Sequence, residues 1–296
     1  MTILAVQIGA DGFAACRVAD DVDEDDIRRV PIPAAGAWEI FRDLLVEVAE
    51  GQEVEAVGIA SPGPIDMAAG VVAPAGIREW QTGFALTDAV SKLFPTAKVQ
   101  VGLDGVCNGL AEHNFGATAE VMDSVTVVVS DRISAGVMVG GFVVVGRTGN
   151  AGNFGHILVP GFDDACDCGG RGCVEAVASG RALVRWARAE GFGGDTVDAL
   201  ISAAAAGDSV ATAALQRAGT ALGRAIASVA PLLDFDLVVL GGTVSKAGPA
   251  LWKSLNAAVA THARIGFLTG LRVIPSEIDD VGTLAGAGVL ALMAAS

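Results

Sequence analysis

The chain has 296 residues, 52% of them hydrophobic and 18% charged, a balance that excludes a disordered chain and favours two hydrophobic cores over one. A formal net charge of −15 excludes a surface built for nucleic-acid backbones or anionic membranes, and with only 19 Lys and Arg a phosphate site has to draw largely on backbone amides and metal. Apolar stretches stay well short of the roughly 20 residues that span a bilayer, and the opening Thr2–Val6 run reads as strand rather than leader, so a cytoplasmic protein without membrane or nucleic-acid partners is expected.

Ile3–Ile8 is an apolar run ending in Gly9, and Phe13–Val18 resumes after Asp11-Gly12, which predicts a β-hairpin. The acidic run Asp20–Asp26 reads as a solvated loop. Trp38–Val48 has helical spacing, with Ile40, Leu44, Leu45 and Val48 on one face. Val54–Ile59 is a buried strand leading into the loop Ser61-Pro62-Gly63-Pro64, followed by a helix over Ala85–Phe94 and a strand at Val99–Val101.

The second half repeats the theme. Strands are expected at Ser124–Val129 and Val137–Val145, and helices at Ala176–Glu190 and Val210–Ala230, the latter ended by Pro231. Leu237–Leu240 is a strand stopping at Gly241-Gly242, and Val281–Ala295 is a closing helix. Two halves that each open with a hairpin and then alternate predict a duplicated α/β unit with a cleft between the copies: residues 1–108 plus 280–296 in one domain and 109–279 in the other.

Five cysteines, three crowded between 166 and 173, point to a metal rather than a disulfide framework. In His156-x9-Cys166-x-Cys168-x4-Cys173, three thiolates and one imidazole complete a tetrahedral zinc shell with no position left for water, which is a structural site. Gly169, Gly170 and Gly172 let the chain wrap closely around an ion. Cys16 and Cys107 fall on strand and helix patterns and read as core residues.

Gly152-x-x-Gly155-His156 followed by Cys166-x-Cys168-Gly169-x-x-Gly172-Cys173-x-Glu175 resembles the signature of the ROK (repressor, open reading frame, kinase) family. Val57–Asp66 is similar to that family's Pro-Gly-Pro loop, Val99–Glu112 to its catalytic-aspartate segment, Leu237–Gly248 to its adenosine-binding stretch, and Gly282–Gly288 to its closing helix. The resemblance implies a two-domain, actin-like (RNase H-like) α/β ATPase fold and an ATP- and Mg2+-dependent kinase acting on a hexose or amino sugar, usually a homodimer. It implies Asp104 as the general base and Asn153, His156 and Glu175 as sugar ligands, His156 offering one ring nitrogen to zinc and the other to sugar. It implies nucleotide contacts at Gly9, Asp11, Asp131, Arg132, Gly241 and Gly242. A plainer reading of Asp104 is a helix N-cap at a strand end.

Departures from the family pattern fall on functional positions. Where an Asp-Ile-Gly-Gly-Thr phosphate loop is expected the chain has Gln7-Ile8-Gly9-Ala10-Asp11, and where Gly-Thr-Gly-Ile-Gly is expected it has Ser130-Asp131-Arg132-Ile133-Ser134. Leu103 stands in place of an asparagine, and Asn153 in place of a glutamate. Asp11 and Asp131 could together bind magnesium, with Arg132 touching phosphate. The alternative is a catalytically impaired homologue that binds a small ligand or acts as a regulator.

Overall fold

Apolar runs without alternation belong to strands buried on both faces, and the sequence places such runs at the centre of two sheets. The computed structural model describes residues 2–10, 12–19, 24–278 and 281–296. In chain order the elements are β1 (Thr2–Ile8), β2 (Gly12–Arg17), β3 (Arg28–Pro31), α1 (Ala37–Ala49), β4 (Val54–Ser61), β5 (Ile65–Asp66), β6 (Val71–Val72), α2 (Leu86–Leu93), β7 (Lys98–Leu103) and α3 (Asp104–Phe115). They continue with β8 (Ser124–Val129), β9 (Ile133–Val139), β10 (Phe142–Val143), α4 (Val174–Ala178), α5 (Gly180–Ala189), α6 (Val197–Ala205) and α7 (Ser209–Leu233). The last are β11 (Leu237–Gly241), α8 (Pro249–His262), β12 (Arg272–Pro275) and α9 (Gly282–Ala295). No helix among the described residues is long and apolar enough to cross a membrane.

The chain divides into two units. One comprises Met1–Gly116, Val143–Gly152 and Ile278–Ser296, the other Ala117–Phe142 and Asn153–Glu277. The first holds a sheet of order β3-β2-β1-β4-β7 and the second a sheet of order β10-β9-β8-β11-β12. In each, an antiparallel hairpin (β1/β2, β8/β9) is continued by two parallel strands (β4 and β7, β11 and β12). The two units therefore share one topology.

In the first unit Leu4, Val6 and Ile8 of β1 pack with Phe41, Leu44 and Leu45 of α1, together with Phe13 and Trp80. The intervening Ala5 joins Ala60, Cys107 and the α9 residues Leu284 and Ala287. Alternation along β1 thus assigns one helix to each sheet face. The α9 face is small for a reason: a Cβ on Gly58 would overlap the Ala287 carbonyl. Ile40 lies off the buried α1 stripe and is 37% exposed, contrary to the helical-face expectation. In the second unit Val125, Val127 and Val129 of β8 pack with Leu222 and Ile226 of α7 and Leu251 and Leu255 of α8.

Several element ends shift by a residue or two, and three differences from expectation have a cause in the local chain. The strand expected at Val137–Val145 begins at Ile133, where Val129 pairs with Ile133, and stops at Val139 because Gly140 and Gly141 (φ 59° and 78°) turn the chain. The helix expected over Ala176–Glu190 is two helices, broken at Ser179 (ψ 154°), whose hydroxyl accepts the Ala182 N–H at 3.3 Å and caps α5. Pro231 does not end α7. It lies in the last turn, where a missing N–H forfeits a single bond, and the helix stops at left-handed Asp234 (φ 53°), whose N–H reaches the Ala230 carbonyl at 2.8 Å.

Candidate functional site

The segment between β10 and α4 has little regular structure, and its shape is set by backbone bonds around the cysteines. Cys166 N–H donates to the Gly170 carbonyl at 2.9 Å, Gly169 N–H to the Cys166 carbonyl at 3.0 Å, and Gly172 N–H to the Asp164 carbonyl at 2.9 Å. Gly172 has φ +75°, and a Cβ there would stand 2.7 Å from the Phe162 carbonyl oxygen, so no other residue fits without moving the loop. Arg217 of α7 pairs with Asp164 at 2.5 Å, and Arg224 donates to the Pro160 carbonyl at 2.8 Å, tying the loop to the helix. Both guanidinium groups also lie over the Phe162 ring.

The loop brings the ligand atoms of His156, Cys166, Cys168 and Cys173 within 4.8 Å of one another. Cys166 Sγ lies 3.8 Å from His156 Nδ1, and Cys168 Sγ lies 3.8 Å from Cys173 Sγ. Sulfurs on one tetrahedral zinc at about 2.3 Å stand at about this separation. Burial pushes the Cys173 thiol up to about 12 and also raises Cys166, while the Gly170 N–H, donated to its sulfur, lowers Cys168. Three thiolates this close need a cation, so the donor set could hold zinc.

Immediately after Cys173, α4 presents Glu175, half-buried, with its carboxylate accepting the Ile133 N–H at 2.8 Å. Burial raises its pKa, against which the Ile133 amide and the charges of Arg132 and Arg181 act. Gly155 makes the approach possible: a Cβ there would stand 2.8 Å from Glu175 Oε2. Asn153 is exposed and opens the short turn Phe154–His156, its carbonyl accepting the His156 N–H at 3.1 Å. The second unit therefore gathers Asn153, His156 and Glu175 onto the cysteine loop and its flanks.

Asp104 belongs to the first unit, as the opening residue of α3 directly after β7. Leu103, not Asp104, occupies the cap position of that helix, and Leu103 is buried in the first unit's core. Asp104 Oδ1 accepts the Gly105 N–H at 2.6 Å, and its carbonyl accepts from the Asn108 amide at 2.9 Å. Of the first phosphate loop, Gly9 donates its N–H to the Gly12 carbonyl at 2.8 Å; Asp11 lies outside the described residues, as do Asp20–Asp23 of the acidic run.

The second loop is shorter than expected, because Ile133 and Ser134 belong to β9, leaving Ser130, Asp131 and Arg132. Its Ser130 amide is used internally, and two neighbouring amides bond to Ser130 in turn. Ser130 N–H reaches the Arg132 carbonyl at 3.0 Å, Gly180 N–H reaches the Ser130 carbonyl at 2.7 Å, and Thr243 N–H reaches Ser130 Oγ at 3.2 Å. Gly242 (φ +86°) sits against this turn, where a Cβ would meet the Val129 carbonyl at 2.5 Å, and Gly241 ends β11 beside it. Asp131 and Arg132 are exposed. Asp131 and Thr243 also line a cavity of about 680 Å³ with Arg181, Arg185 and Arg188 of α5, which sequence reasoning missed because arginines on one face of an amphipathic helix read as a solvated face.

A profile of the ROK family matches residues 3–294. The chain is 30% identical to the glucokinase of Thermotoga maritima over 313 aligned positions, which cover 98% of this chain and 97% of that one. The ROK hexokinase of Thermus thermophilus superposes with a TM-score of 0.85 at 29% identity, covering 99% and 98% of the two chains. A ROK family glucokinase from Streptomyces griseus, solved with glucose and AMPPNP, superposes with a TM-score of 0.82 at 26% identity, covering 99% of this chain and all of that one (100%). The two-domain, actin-like α/β fold is borne out by these superpositions.

Proposed function

The chain belongs to the ROK family, and from that premise we propose that it is a sugar kinase, transferring the γ-phosphoryl group of ATP to a hydroxyl of a hexose or amino sugar. Asp104 is the general base that takes the proton of the attacking hydroxyl, and Asn153, His156 and Glu175 hold the sugar. Magnesium bound with ATP neutralises charge on the transferring group. Zinc held by His156, Cys166, Cys168 and Cys173 is structural and fixes the loop that aims His156 and Glu175. Gly9, Asp11, Asp131, Arg132, Gly241 and Gly242 belong to the nucleotide side of the same reading, as does a homodimeric assembly in the cytoplasm.

The observation that carries this reading is Glu175, a half-buried carboxylate two residues past Cys173, held by the Ile133 N–H and packed on Gly155. A coupled assay across hexoses and N-acetylhexosamines tests it. Turnover of one sugar, reduced at least about 10²-fold in Asp104→Asn as expected for loss of a general base, supports it. Absence of turnover on the whole panel favours the second reading, a small-ligand-binding or regulatory homologue. That reading draws on the Ser130 N–H of the second loop and the neighbouring N–H groups of Gly180 and Thr243, all three bonded within the protein and so not offered to phosphate.

A further inference from the structure

A phosphate loop works by turning unpaired backbone N–H groups toward the anion. In the second unit the Ser130 N–H is already bonded to the Arg132 carbonyl, and the neighbouring Gly180 and Thr243 N–H groups are bonded to Ser130, so these three amides are not offered to a phosphate and side chains can supply donors beside them. The cavity bordered by Asp131 and Thr243 supplies them. Arg181, Arg185 and Arg188 follow one another at intervals of four and three residues, which puts them on one face of α5, about 10 Å along its axis from first to last. Arg185 donates to the Ala176 carbonyl at 3.2 Å. Arg181 and Arg188 carry no hydrogen bond or ion pair among the described residues.

We propose that Arg181, Arg185 and Arg188 form a site that reads a chain of phosphates through side chains rather than through loop amides. Guanidinium forks match phosphate oxygens in pairs, and three of them in a row suit several linked phosphates better than one isolated anion. The wall of the cavity carries Val184 and Val197 but no aromatic ring, so a purine finds no stacking partner there and the phosphates carry the recognition. Asp131, Asp195 and Asp198 line the same space, and their charge calls for the phosphate chain to arrive as its magnesium complex. The proposal deepens the kinase reading by naming what is recognised in the phosphoryl donor, and it rests on that reading for the donor's role.

Calorimetric titration of the full chain with magnesium tripolyphosphate, Mg·ATP and Mg·GTP tests it. Expected are dissociation constants for the three that agree within about tenfold, each weakened at least tenfold in Arg181→Gln/Arg188→Gln. The double variant should keep the native melting temperature, since both side chains are exposed. ATP bound a hundredfold more tightly than tripolyphosphate would mean that the base is read, and the proposal falls. It falls equally if tripolyphosphate fails to bind at millimolar concentration, or if the double variant binds within twofold of the native protein. These outcomes are separable from the kinase reading: a chain that turns over no sugar yet loses tripolyphosphate binding in the variant keeps this site and loses the activity.

Discussion

Gly155 and Glu175 are two halves of one contact. The glycine has no side chain where the carboxylate passes, and an added Cβ would stand 2.8 Å from Oε2 and 3.1 Å from the Ile133 carbonyl. Gly155→Ala therefore displaces Glu175 without touching a cysteine. The expected outcome is a sugar KM raised about tenfold, the magnitude of one lost hydrogen bond to a charged group, with the metal content of the protein unchanged. Unaltered KM with altered metal content would assign Glu175 to the loop rather than to the sugar. At this scale the sequence was informative where spacing is tight: His156 and the three cysteines converge because an x-x4 pattern rich in glycine has few ways to close. It was silent on Arg181 and Arg188, because the cavity that they line with Asp131 and Thr243 is formed by residues distant in sequence. Leu103 also reads differently in place, since the side chain is 5% exposed and packs into the first core.

Helix ends show the same division between local and distant causes. Asp208 caps α7 from the adjacent position, its carboxylate accepting the Ala211 N–H at 2.8 Å. α1 starts from left-handed Gly36, which has no side chain to cap it, and Glu79 takes that part from 43 residues away. Its carboxylate accepts the N–H of Gly36 at 3.1 Å and of Ala37 at 2.9 Å, which holds its pKa below the usual carboxylate range. Replacing Asp208 with Ala should cost about 1 kcal/mol of unfolding free energy, read as a lowered urea midpoint at unchanged slope. Replacing Glu79 with Gln should also destabilise, and in a pH-dependent way. A carboxyl whose folded pKa is depressed contributes stability that is present above its unfolded pKa and lost as pH falls through the folded value. Native and Glu79→Gln melting curves should therefore diverge at neutral pH and converge only once pH has fallen through the folded value, which lies below the unfolded carboxylate's pKa of about 4.3. The strand error at Val137–Val145 belongs here as well: an apolar run marked that a strand was present, and the turn at Gly140-Gly141 decided where it stopped.

The duplication was legible in the sequence because each half opens with a hairpin and then alternates, and both sheets have the same strand order. The return of Val143–Gly152 to the first unit was not, because what fixes it is long-range. Asn150 accepts the Ile65 N–H at 3.0 Å and donates to the Ile65 carbonyl at 2.6 Å across 85 residues, a pairing with no local signature. Each unit has its own buried clusters, those of the first sharing no residue with those of the second. A chain with separate cores is expected to unfold in more than one cooperative step. The cysteine loop is tied to α7 of the second unit through Arg217 and Arg224, whereas Gly58 is filled from α9 in the first. Differential scanning calorimetry can then address the units one at a time. Gly58→Ala overpacks the first core, at a cost of about 1–3 kcal/mol, and at about 2–4 °C per kcal/mol this lowers one transition by several degrees. On the proposal that the cysteine cluster holds zinc, a chelator or Cys173→Ser should lower the other transition and leave the first in place, because a structural metal contributes its binding free energy only to the part of the chain that it organises. If both treatments move both transitions equally, the two cores melt as one body, and the cysteine cluster then stabilises the whole protein.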